Sequence, residues 1–195
     1  MAQKEGKIRW NQVFAFLLLT VLCVVSFGNV VEANSPPQFT HNVSVHDPSV
    51  VKLDDTYYIF GSHLAAAKST DLMNWRLVAD GVKTGNKLIP NVLVEMGEEL
   101  AWVGADTFWD PDVIQLPDGR FYMYYCIGRL DQPRAVTGLA VAEDIEGPYV
   151  NQGVIVRSGM RGERAPDGSL YNPAIHPNAV DPHGFLDAEG ELWMV

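Results

Sequence analysis

Cysteine is almost missing from these 195 residues. Only Cys23 and Cys126 are present. Cys23 lies in an apolar N-terminal run, so the remainder has one thiol and no internal disulfide. No Cys/His spacing suggests a zinc site. Basic charge is also scarce, with 14 Lys and Arg against 24 Asp and Glu and a formal net charge of −10. Such a surface repels nucleic-acid phosphates and anionic membranes and suits a neutral, soluble ligand. Long helical periodicity is the third absence. Beyond residue 34 no stretch sustains an apolar period of 3.6, which argues against a helical bundle.

The N-terminus has three parts. Lys4, Lys7 and Arg9 precede the apolar run VFAFLLLTVLCVVSFG, and Val31 and Ala33 are small residues flanking a cleavage point. This pattern predicts a secretory signal over residues 1–33. The alternative is an uncleaved anchor helix over residues 14–31. Leu22, ahead of Cys23, argues against lipidation. Removal of residues 1–33 takes away three basic and two acidic side chains, moving the net charge from −10 to −11. Asn42 opens an Asn-Val-Ser sequon for glycosylation.

From residue 35 on, short aromatic and β-branched runs alternate with Asp, Gly, Asn and Pro, as strands joined by hairpins require. The stretch PNVLVEMGEELAWVGAD has room for a helical turn or two but reads as an insertion loop. RSGMRGERAPDGSLYNPAIHPN reads as a second loop. One phrase recurs three times: HDPSVVKLDDTYYIFGS, WDPDVIQLPDGRFYMYYC and VDPHGFLDAEGELWMV. Each copy has Asp-Pro, a short apolar run, an acidic turn and aromatics. LPDGR is the strongest hairpin signal of the three, because Asp and Gly tolerate positive φ. The first two copies continue into a small-residue strand, an acidic turn, an aromatic (Trp75, Tyr149) and a further strand. Each unit therefore holds about four strands. Asp47, Asp110 and Asp181 are 63 and 71 residues apart, and repeats of this kind predict propeller blades. Symmetry would then bring Asp47, Asp181 and either Asp110 or Asp112 together near one axis. The competing expectation is that each Asp simply caps a turn before its strand.

The ordered blocks HDPSVVKLDDTYYIFGSHLAAAKSTDLMNW, FWDPDVIQLPDGRFYMYYC, GLAVAEDIEGPY and NAVDPHGFLDAEGELWMV resemble glycoside hydrolase family 43, most nearly its endo-arabinanases. The resemblance runs from about His41 to the last residue. It implies an all-β fold, a five-bladed β-propeller of which residues 34–195 cover roughly the first two and a half blades. It also implies a secreted glycosidase acting on arabinan-type polysaccharide with inversion of the anomeric centre. Inversion uses one carboxylate to activate water and one carboxylic acid to protonate the leaving oxygen. On the family pattern Asp47 is the general base. Asp181 orients the acid and tunes its pKa, since a nearby negative charge keeps an acid protonated. Asp112 matches a site-bordering Asp of the family's Ala-Pro-Asp-Val stretch, and Asp110 stands where the family usually has Ala.

Trp109 and Asn178 are further substrate-binding candidates, and Trp102 and Phe108 offer aromatic faces for sugars or for blade packing. His46 is placed to orient Asp47. The family's general acid is a Glu of a later blade that no position here matches. Glu95, Glu98 and Glu99 have no motif support, and Glu143 and Glu146 are expected to be exposed. The expectation is that these residues by themselves are inactive or nearly so. No metal is assigned, although the resemblance allows calcium in the complete protein, held through a late-blade His. The expected partner is arabinan or arabinoxylan, bound by a monomer with neither nucleic acid nor membrane after signal cleavage. Exo-acting arabinofuranosidase or β-xylosidase action, a non-catalytic sugar-binding propeller, and an inactive truncated product are the alternatives.

Overall fold

The computed structural model describes residues 38–39, 42–129, 131, 134–159, 163–165, 167–172, 174–176 and 178–195. The expected signal segment over 1–33 lies outside them. Four strands form the first sheet: β1 (Ser49–Leu53), β2 (Thr56–Gly61), β3 (Ala65–Ser69) and β4 (Arg76–Ala79). Four more form the second: β5 (Trp109–Gln115), β6 (Phe121–Gly128), β7 (Ala135–Ala142) and β8 (Val150–Arg157). Both sheets are antiparallel, with neighbours in chain order. A separate hairpin, β9 (Gly184–Leu186) with β10 (Leu192–Met194), repeats the opening of each sheet.

The repeat extends to individual hydrogen bonds. In the β5–β6 hairpin, Leu116 N–H donates to Arg120 O at 3.1 Å and Gly119 N–H to Leu116 O at 2.9 Å. In the β9–β10 hairpin, Asp187 N–H donates to Glu191 O at 3.0 Å and Gly190 N–H to Asp187 O at 3.1 Å. Gly119 (φ 86°) and Gly190 (φ 85°) occupy the left-handed region that closes such a loop. The first copy is tighter. Only Asp54 and Asp55 separate Leu53 from its partner Thr56, and Asp54 takes the positive φ of 50°.

The stretch read as an insertion loop is different. It contains two short helices, α1 (Val92–Glu95) and α2 (Gly97–Val103). Val92, Met96 and Val103 are fully buried in the main apolar core, and Leu100 packs against it. Their spacing follows a helical stripe that Gly97 and the flanking polar residues shorten below the length at which periodicity stands out. The core also takes Phe60, Leu64, Leu88, Ile89, Phe108, Tyr125, Ile127 and Tyr149. Phe108 stacks on Tyr125 with centroids 4.9 Å apart, so its face is spent on packing. The two aromatics that follow the acidic turn also diverge. Tyr149 is buried, while the Trp75 indole bonds Leu72 O near the surface.

Glu146 departs from the expected exposure as well. Its mostly buried carboxylate is ion-paired with both Lys68 and Lys87, joining the first sheet to the turn after β7. Burial would push its carboxyl up, but the hydrogen bonds from Lys68 and Lys87 outweigh it and hold the group below its usual value. A carboxylate with two cationic partners is one that can leave water.

Candidate active site

The three Asp-Pro aspartates share one unusual backbone conformation. Asp47, Asp110 and Asp181 have φ of 46°, 39° and 55°. Asp tolerates this left-handed region better than most side chains. The following proline disfavours the right-handed alternative. Each Asp stands at or just before the first strand of its unit. Equal backbone geometry at equivalent places turns all three carboxylates into one space. They line a cavity of about 700 Å³ together with His46, Trp109, Arg129 and Asn178.

The end of β2 ties this space together. Ser62 N–H donates to His46 O at 2.9 Å, and His63 N–H donates to Phe108 O at 2.5 Å. The Ser62 hydroxyl donates to Asp47 Oδ2 at 3.4 Å and accepts from Asp110 N–H at 3.2 Å. His46 Nδ1 lies against the same Asp47 oxygen. Gly61 is required here. A Cβ on it would stand 2.2 Å from His46 O, so any side chain would push the Asp47 segment away. Gly128 serves Trp109 similarly, since an added Cβ would meet the indole at 2.6 Å. The buried Cys126 thiol donates to Ala179 O at 3.3 Å and so holds the segment leading to Asp181. Burial pushes that thiol up to about 12.

Asp110, whose side of the strand was left open by the sequence, joins Asp47 and Asp181. Asp112 does not line this cavity. It borders a neighbouring one of about 680 Å³ that also touches all three aspartates. There it accepts from Gly184 N–H at 2.8 Å and contacts His183 Nδ1 at 3.1 Å, bonding β5 to the β9 hairpin. Trp102 lies outside the cavity, flanked by the guanidinium groups of Arg134 and Arg157 at 4.7 and 5.2 Å. Ser62, His63, Arg129, Asp131 and Val180 are the cavity residues that sequence reasoning missed. Arg129 carried a signal, as the first charged residue beyond the buried run of β6. Among the described residues no group of three His, Cys, Asp or Glu has the geometry to hold a metal ion.

Three carboxylates this close do not all ionise easily. Burial, hydrogen bonding to Asp181, and the charges of Asp181 and Asp47 push the Asp110 carboxyl up to about 7. A protonated Asp110 thus places a hydrogen-bond donor where a third negative charge would stand. The sign of the stability effect follows. Unfolded, Asp110 releases its proton near pH ~4; folded, it keeps it to about 7. Between those values the folded state binds more protons, so stability falls as pH rises and then levels off. Asp110→Asn is expected to flatten this slope, read as Tm at pH 4.5 against pH 7.5 for both proteins. An unchanged slope would remove Asp110 as its source.

The pattern of "Glycosyl hydrolases family 43" matches residues 40–195. The extracellular endo-α-(1→5)-L-arabinanase 2 of Bacillus subtilis is 48% identical over 187 residues, covering 95% of this chain and 39% of that protein. The corresponding Thermotoga petrophila arabinanase is 44% identical, covering 93% and 39%. The chain therefore spans about two fifths of the length of these relatives. Among solved structures, the family 43 YxiA protein of Bacillus licheniformis superposes with a TM-score of 0.76 at 55% identity, covering 82% of this chain and 36% of that one. The Thermotoga arabinanase structure gives 0.75 at 47%, with the same coverage. The two four-stranded sheets and the final hairpin are thus part of a five-bladed β-propeller, and the chain belongs to glycosyl hydrolase family 43.

Proposed function

We propose that the protein carrying this chain is a secreted glycosidase that hydrolyses α-1,5-linked arabinan with inversion. The observation that carries the reading is the meeting of three repeat-equivalent aspartates in one cavity, in a chain similar to proteins named extracellular endo-arabinanases. In this reading residues 1–33 are the export signal. Asp47 is the base that takes a proton from the attacking water. Its carboxylate is half exposed, held by Ser62 and His46, and open to the cavity from which water would approach. Asp181 sets the position and acidity of a general acid, which on the family pattern belongs to a later blade. Trp109 and Asn178 contact the sugar, and Asp112 borders the cleft from the β9 side.

Inversion needs the base and the acid roughly 6.5–9.5 Å apart, with the water between the base and the anomeric carbon. With its carboxyl pushed up to about 7, Asp110 is protonated below that pH and then adds no third negative charge beside Asp47 and Asp181. The test is proton NMR of linear α-1,5-arabinan during digestion by the complete protein. New reducing ends should appear first as the β-anomer and mutarotate later. First release of the α-anomer would overturn inversion, and no release would overturn the activity.

A further inference from the structure

Arg129 is one of the residues of this cavity that the family pattern does not explain. It follows β6 directly, and two elements hold its guanidinium. Nε and Nη2 donate to the two oxygens of Asp131 at 2.8 and 2.7 Å. Nη1 donates to Gly104 O at 3.0 Å. Gly104 caps α2 in the left-handed conformation, and a Cβ there would stand 2.9 Å from Nη1. A side chain at that position would therefore crowd the guanidinium. Guanidinium has five N–H donors; three are used, which leaves two for a ligand.

We propose that Arg129, positioned by Asp131, is a substrate-binding residue of the cavity, and that the pair selects uncharged sugar rings over uronates. The proposal rests on the glycan-hydrolase reading above. Arg129 shares the cavity with Asp47, Asp110 and Asp181. Sugar hydroxyls can donate to carboxylates on one side and accept from the guanidinium on the other. The clamp immobilises the group before substrate arrives, so little further ordering is needed on binding. Asp131 already occupies the Nε–Nη2 edge, which an incoming carboxylate would claim as a bidentate partner. One guanidinium facing Asp131 and the axial aspartates leaves no net positive field to attract an acidic sugar.

The test uses the complete protein with α-1,5-arabinotetraose as substrate and oligogalacturonate as a competing acidic glycan. Hydrogen bonds to a charged group are worth about 1.5–3 kcal/mol, or about 10–150-fold in affinity. Arg129→Ala is expected to raise KM at least about 10-fold with kcat within about threefold, and Arg129→Lys to recover part of the loss. Asp131→Asn is expected to lower the oligogalacturonate inhibition constant at least about 10-fold. Thermal melting of each variant checks folding, and Arg129→Lys keeps the test open if the alanine variant melts. A KM within threefold of wild type, or a fall in kcat at constant KM, overturns Arg129 as a sugar ligand. An unchanged inhibition constant in Asp131→Asn overturns the selection against uronates. If the wild-type protein cleaves no arabinan, the functional reading fails separately. Calorimetric binding of arabinotetraose to wild type and Arg129→Ala then still decides the proposal.

Discussion

In the complete protein, Asp47→Asn is expected to lower kcat on linear arabinan by about 10³-fold, within the ~10²–10⁴ range for loss of the proposed general base, while substrate affinity stays within about threefold. Asn keeps the volume of Asp and can still accept the Ser62 hydroxyl and sit against His46. It cannot take a proton from water. Steady-state kinetics and calorimetry on the complete protein give the two numbers. Retained turnover would move the base elsewhere, with Asp110 next in line, since it occupies the equivalent place in the second unit and shares the cavity. Loss of binding together with turnover would instead mark Asp47 as a substrate anchor.

On the proposed role of Asp181, Asp181→Asn is expected to lower kcat of the complete protein by about 10²-fold and to move the alkaline limb of the pH–rate profile to lower pH. The sign comes from electrostatics. A carboxylate near the general acid favours the acid's protonated form, and its neutralisation lets the acid lose its proton earlier. The same substitution removes the neighbouring carboxylate that, after burial, does most to push the Asp110 carboxyl up. Asp110 should then also titrate at lower pH, which carboxyl carbon NMR reads without reference to turnover. An alkaline limb that stays in place, together with an unmoved Asp110, would separate Asp181 from both roles.

The repeated phrases carried most of the architecture. Their apolar alternation and acidic turns fix short antiparallel strands, and those signals are local. A Gly or Asp that closes a hairpin does so through its own φ, whatever surrounds it. The helices α1 and α2 were less legible. With four and seven residues they have little intrinsic stability, and the sheets that bury Val92, Met96 and Val103 complete them. Glu146 was misread for a related reason. Its partners Lys68 and Lys87 are 78 and 59 residues away, and no local pattern announces such a pairing.

By itself, the sequence determined the repeat, the strand count per unit and the aspartates that a rotational arrangement would gather, because these depend on composition and spacing along the chain. Tertiary structure decided between Asp110 and Asp112, because a register irregularity between Trp109 and Asp112 sets which way each carboxylate faces. It also brought Gly104 O, 25 residues earlier in the chain, onto the Arg129 guanidinium. Contacts across tens of residues depend on how sheets pack, and packing is a property of the whole assembly of side chains rather than of any one phrase.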